Sequence, residues 1–321
     1  MKATAQSLAP ESGERLTPLA TPVRVDQTLT PVELTVANWF SVYSDLFKAR
    51  LTLLVLLTTL VGFYMGDQGR INYWLMFHTL LGTALVAAGA SALNQLLERE
   101  YDGKMRRTQT RPLPTGRLQA STVLWVGSLC SFMGLAQLAW KVNFMTSIVG
   151  AVSLVLYLFI YTPLKRISWL NTAAGAVPGA LPALMGWTAA TGQLSGPGWV
   201  LFAILAFWQI PHFLAIAWVY REEYARAGFK MLPNVDPTGR RCGWQAVVHS
   251  IALLLVSLCP FLLKMAGTGY FIGALSLGLV FVWFAVRFSN CLQVPQARRL
   301  FFASILYLPL LLGLLVLDKT K

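Results

Sequence analysis

Charge is what this chain has least of. Charged residues make up 12% of its 321 positions, against roughly 25% in a soluble domain, which excludes an ordinary water-covered surface. Cysteine is nearly as sparse. Cys130, Cys242, Cys259 and Cys291 form no CxxC or Cys/His pairing, so no sequence ground exists for a thiolate metal site. Three of them lie in or near apolar segments and read as inert packing residues. The first 45 residues lack the apolar core of a secretory signal, and Glu11, Glu14, Asp26 and Glu33 argue against a transit peptide. Apolar side chains are abundant instead: 56% of the chain is hydrophobic and the mean hydropathy is +0.58. That composition belongs in a bilayer.

From Arg50 onward nine apolar spans follow one another, at about 51–66, 73–95, 119–140, 144–161, 169–189, 198–219, 244–265, 269–288 and 300–317. Each is near the length that crosses ~30 Å of hydrocarbon. The expected architecture is an all-α polytopic membrane protein of nine transmembrane helices. The formal net charge of +13 sits in short loops between spans, which encodes topology rather than nucleic-acid binding. With the N-terminus placed inside, the inner segments after the tail carry eighteen Lys and Arg and the outer ones five. That asymmetry predicts a cytoplasmic N-terminus and an outer C-terminus. Residues 1–45, rich in Thr, Ser and Pro, read as a disordered cytoplasmic tail ending in a surface helix near 36–47, and 46–321 as the membrane domain. The second and sixth spans each run on into a basic loop, a weak sign of two four-helix halves plus one helix.

The second span ends in Asn94, Glu98 and Asp102, four residues apart. On a helix this spacing sets all three on one face, roughly 6 Å apart per step. Two carboxylates and an amide at that pitch suit a hard cation such as Mg²⁺ shared with phosphate oxygens. Lys104, Arg106, Arg107 and Arg111 follow at once. Acid for a metal and base for an anion point to a diphosphate at a membrane surface. The bland alternative is a pair of solvated carboxylates offset by Arg99 and Arg106 through i,i+4 pairing. His212 lies mid-helix in an apolar span, where an ionisable residue is a functional candidate by default. Gly175 and Gly179 have the spacing of helix packing. His78 and His249 have no motif around them and read as structural.

The first loop continues as Met105-x-Arg107-Thr108-x-x-Arg111-Pro112-Leu113-Pro114-x-Gly116. Together with Asn94-x-x-x-Glu98-x-x-x-Asp102 it resembles the first acidic motif of the UbiA-type intramembrane prenyltransferase superfamily, in the form used by its haem-modifying branch. Tyr161-Thr162-Pro163-Leu164-Lys165-Arg166 is similar to the family's Tyr-x-x-x-Lys element. Trp208-Gln209-Ile210-Pro211-His212-Phe213 and Tyr224 to Pro233 resemble two further haem-branch stretches. The likeness runs from about Leu46 to Leu317. One departure from the wider superfamily is clear: where its second motif has aspartates, this chain has Tyr220 and Tyr224, with Glu222 and Glu223 between them.

The resemblance implies catalysis by Asn94, Glu98, Asp102 and Lys165, with Mg²⁺ on Asn94, Glu98, Asp102 and, as a further candidate, Glu223. It implies substrate binding by Arg107, Arg111, Arg166, His212, Tyr220 and Tyr224. Lys165 and Arg166 have a plainer reading as topology determinants. The implied reaction joins the farnesyl group of farnesyl diphosphate to a vinyl group of haem B, with His212 on the iron or orienting the macrocycle. Implied partners are both substrates, membrane lipid, and haem A synthase or a terminal-oxidase assembly to receive product. Two other readings stand beside it. One is the same fold acting on a quinone precursor or chlorophyllide. The other is a nine-helix organic-anion transporter, whose site is expected near the membrane midplane rather than in inner loops.

Overall fold

The computed structural model describes residues 36–320, with side chains from Trp39 onward; the proposed tail before Val36 lies outside them. Short α1 (Val36–Leu46) lies against the chain's long helices and is held by Gln95, whose Nε2 donates to the carbonyls of Asp45 and Leu46. Lys48 then takes a left-handed conformation, φ 49°, and starts α2 (Ala49–Gly66) in a new direction. α3 (Tyr73–Asp102) follows, then α4 (Ala120–Lys141). α5 (Phe144–Val155), a π-helical stretch (Leu156–Tyr161) and α6 (Thr162–Ile167) form one continuous rod. α7 (Asn171–Thr191) and α8 (Gly196–Val219) come next. Short α9 (Arg221–Arg226) and α10 (Leu232–Val235) lead into α11 (Arg240–Leu262), α12 (Thr268–Cys291) and α13 (Val294–Leu317).

Among the described residues, nine rods thus stand where nine spans are expected. Eight of them are long and apolar enough to cross a membrane. α7 is outside that set: its 21 residues include small and proline side chains, and most of them are buried between neighbours rather than offered to lipid. α2 and α7 touch backbone to backbone. A Cβ on Gly62 would stand 2.0 Å from the Ala183 carbonyl oxygen, and one on Gly186 would stand 1.9 Å from that of Thr59. Small residues let membrane helices approach this closely. α8, α11, α12 and α13 share the larger apolar core with α7 and the end of α2; α3, α4, α5 and α7 enclose a second core.

Two local features position the polar groups. α3 has 30 residues, about 45 Å of helix, so it outruns ~30 Å of hydrocarbon and its last turns form a polar platform. Across from it the α5–α6 rod widens into its π turn just before Pro163, which has no N–H to give the carbonyl four residues back. The Thr162 hydroxyl donates to the Tyr157 carbonyl at 2.8 Å. Such widened turns shift the residues beyond them around the axis, and here they set Tyr157, Thr162 and Lys165 against α3.

Candidate active site

Asn94, Glu98 and Asp102 are 1%, 4% and 1% exposed, so they are not solvated charges at a frayed helix end. Each meets a basic side chain from a different segment. Lys48 Nζ donates to Asn94 Oδ1 at 2.8 Å. Lys165 Nζ donates to Glu98 Oε1 at 2.8 Å. Arg111 Nη1 donates to Asp102 Oδ2 at 2.6 Å. The i,i+4 partners that helix spacing suggests take no part: Arg99 reaches only Glu100, at 3.8 Å, and no ion pair involves Arg106 among the described residues. Tyr157 and Thr162 complete the lining, the first donating to Asn94 Oδ1 at 3.3 Å and the second accepting from Asn94 Nδ2 at 3.1 Å. One acceptor is left over. Asp102 Oδ1 is buried with no hydrogen-bond partner among the described residues.

The loop after α3 folds back over the platform in successive tight turns, anchored by the Thr108 hydroxyl on the Asp102 carbonyl at 2.8 Å. That return brings Arg111 to Asp102 and aims Arg107 at the opposite half of the bundle. Arg107 donates to the Tyr224 hydroxyl at 2.9 Å and lies 5.7 Å and 5.6 Å from the ring centres of Tyr220 and Tyr224, within reach of a cation–π attraction. Arg166 donates to the Leu97 carbonyl at 2.8 Å and covers the Tyr101 ring at 3.9 Å. It therefore braces α3, while Lys165 faces the acids.

Lys48 is the residue that sequence reasoning passed over, counted only as a topology charge. Its nearness to Asn94 depends on the sharp turn between α1 and α2, for which the sequence gives no clear signal. Burial, with Arg111 and Lys165 close by, lowers the pKa of its ammonium to about 7. Glu98 and Asp102 work the other way and favour its charged form.

Glu223 does not join the acid set. It lines a separate cavity of about 160 Å³ with Val219, Tyr220, Arg221, Glu222, Arg226 and Val294. No three His, Cys, Asp or Glu side chains gather in a metal-holding group among the described residues. The hard-cation donors present are two carboxylates and the Asn94 amide. His212 is also apart, half-buried between α8 and α13. Its Nδ1 meets Ser304 Oγ at 2.7 Å, and its ring centre is 4.9 Å from Trp208 and 5.0 Å from Phe301. Gly175 and Gly179 are packing sites, the first closed by Tyr161 and the second by Gln209. Asp236 is structural: burial opposes its charge, but Thr238 and the N–H groups of Arg241 and Cys242 outweigh that and hold its pKa below the ordinary value.

Two buried carboxylates and an amide, each met by a cation and with one carboxylate oxygen spare, set hard oxygen donors beside positive charge. Residues 55–306 match the model of the UbiA prenyltransferase family. The chain belongs to that family. It is 47% identical over 287 residues to a protoheme IX farnesyltransferase of Solibacter usitatus, covering 86% of this chain and 98% of that one. Among solved structures, a digeranylgeranylglyceryl phosphate synthase aligns with TM-score 0.75 at 15% identity, over 87% of this chain and 98% of that one. A UbiA homolog from Archaeoglobus fulgidus bound to GPP and Mg²⁺ aligns with TM-score 0.62 at 18% identity, over 85% and 99%. These two likenesses establish the fold. The UbiA membership makes this chain an integral membrane prenyltransferase, and the transporter reading falls.

Proposed function

We propose that this chain transfers the farnesyl group of farnesyl diphosphate to a vinyl group of haem B, with water completing the side chain, to give haem O and diphosphate. The observation that carries the reading is the 47% identity over 86% of the chain to a protein named for that reaction. The residues present fit Mg²⁺: the donor set is hard, and Asp102 Oδ1 is an orphaned, buried acceptor beside it. Bound by Asn94, Glu98 and Asp102, the ion would neutralise charge that builds on the departing diphosphate. Lys165 and Arg111, now on Glu98 and Asp102, and Lys48, now on Asn94, are within one side-chain swing of such a ligand. They would exchange these carboxylate and amide oxygens for phosphate oxygens as the metal takes up the three side chains. Arg107, held by Tyr224, would bind at the mouth. The apolar rods beneath the platform would shelter an allylic cation from water. Tyrosines at 220 and 224 add hydrogen-bonding groups without negative charge, which suits a propionate-bearing acceptor better than aspartates would. A quinone precursor or chlorophyllide remains the alternative acceptor.

We place the site at the cytoplasmic face of a bacterial plasma membrane, on the asymmetry of eighteen inner against five outer cations. A reporter inserted near Thr238 should then be cytoplasmic and one fused after Lys321 periplasmic; the same side for both would refute the orientation. For the reaction, the purified chain given haem B, farnesyl diphosphate and Mg²⁺ should yield a more hydrophobic haem, heavier by the hydroxyfarnesyl increment. Prenylation of an aromatic acid with haem left untouched would refute the acceptor. Haem A synthase or a terminal-oxidase assembly would receive the product.

A further inference from the structure

The three described histidines differ in what their second nitrogen can reach. His78 is 7% exposed, its Nδ1 meets Gln137 Nε2, and its Nε2 is sealed in the protein without a partner. His249 places Nδ1 2.7 Å from its own helix's Gln245 carbonyl, an intrahelical bond that takes up that nitrogen. Of the three, His212 is the one held by a hydroxyl of another helix. Ser304, fully buried on α13, meets His212 Nδ1 at 2.7 Å and donates its hydroxyl to the Phe301 carbonyl at 2.6 Å.

A serine has one hydroxyl proton, and a carbonyl can only accept. With that proton given to Phe301, Ser304 Oγ can meet Nδ1 only as an acceptor. The imidazole proton therefore sits on Nδ1, and the lone pair sits on Nε2. This nitrogen has no protein partner among the described residues and is not sealed in the core. Trp208 fixes the plane of the ring. It stacks on His212 at 4.9 Å and 23°, and its own Nε1 donates to the Ser304 carbonyl at 2.8 Å. One residue of α13 thus holds both the histidine and the ring against which it lies.

We propose that Ser304 is a positioning residue that sets the Nδ1-protonated tautomer of His212, so that Nε2 is the atom presented to the iron of the haem substrate. The inference rests on the function proposed above and extends it. An N–H that donates outward both orients a ligating imidazole and raises its basicity, and losing the acceptor commonly costs 10- to 100-fold in metal affinity. Ser304→Ala is a clean probe, because the Trp208 bond is to the backbone and survives.

The test is resonance Raman spectroscopy and haem titration of the full chain in lipid nanodiscs, with ferrous haem B. The wild type should show an iron–histidine stretch. Ser304→Ala should move it to lower frequency and weaken haem binding about 10- to 100-fold, with farnesyl diphosphate binding unchanged; Ser304→Thr should restore both. His212→Gly should lose the stretch and regain it with added imidazole. A stretch absent from the wild type, or unmoved in Ser304→Ala, would overturn the proposal. Farnesyl transfer measured on the same samples separates the two levels. Haem O formed without any iron–imidazole signature overturns this inference alone, whereas neither haem binding nor haem O formation overturns the proposed function as well.

Discussion

α3 and α8 are both long apolar helices that run into basic loops, yet they carry their polar groups in opposite ways. α3 holds three at its end, each capped by a cation from a different segment: Lys48, Lys165 and Arg111. α8 holds one imidazole two turns from its end, capped by a neutral hydroxyl and flanked by Trp208 and Phe301. The first arrangement sets three cations against two carboxylates and an amide, charge that can be redistributed when a metal and a polyanion arrive. The second is a neutral donor at membrane depth, where an unpaired charge would be costly. The difference separates the two halves of the proposed reaction: ionisation of a diphosphate at the α3 platform, and presentation of a macrocycle at α8 and α13.

The largest effects are expected on α3. Asp102→Ala or Glu98→Ala should lower kcat by on the order of 10²–10³, the scale of losing a group that stabilises developing charge. Haem affinity should not move. Wild-type turnover in either variant, at equal folded protein, would break the division between the two helices. Smaller losses are expected from the cations. Lys165→Met should reduce kcat/KM for farnesyl diphosphate by about 30-fold or more, the low end for removing one partner of a buried charge pair, and Lys48→Met by about tenfold, the scale of one hydrogen bond from a charged group. If Lys48→Met behaves as wild type, its contact with Asn94 serves only the α1–α2 turn. Least affected should be Tyr224→Phe, which removes the hydroxyl that holds Arg107 at the mouth. One hydrogen bond to a charged group predicts about a tenfold rise in KM at constant kcat; a change confined to kcat would move Tyr224 to the reacting atoms.

The fold was legible because the apolar runs are long. The nine expected spans meet nine rods, and α3 continues through Asp102 as the four-residue spacing requires. The acids themselves were legible for the same reason. Their partners were not. Four cations follow α3 within nine residues, and only the folding-back of the loop, pinned by Thr108, selects Arg111 for Asp102 rather than Arg106. Lys48 lies 46 residues from Asn94, and a left-handed residue at a helix start leaves no periodic trace. The π turn before Pro163 is likewise invisible to a pattern based on 3.6 residues per turn, although it sets Lys165 against Glu98. Glu223 shows the reverse case. Its motif position suggested a ligand, while the short α9 turns it into a separate cavity with Arg221 and Arg226. The Ser304–His212 pair, 92 residues apart, had no sequence signal at all.

The most direct test of the account is a crossed binding measurement on two variants of the full chain, Asp102→Ala and His212→Ala. Farnesyl diphosphate with Mg²⁺, and haem B alone, would each be titrated into both. The account predicts opposite losses. Asp102→Ala should weaken the diphosphate and its metal and leave haem binding intact, and His212→Ala should weaken haem and leave the diphosphate intact. Equal loss of both ligands in both variants, or haem binding that depends on Asp102 and not on His212, would contradict it.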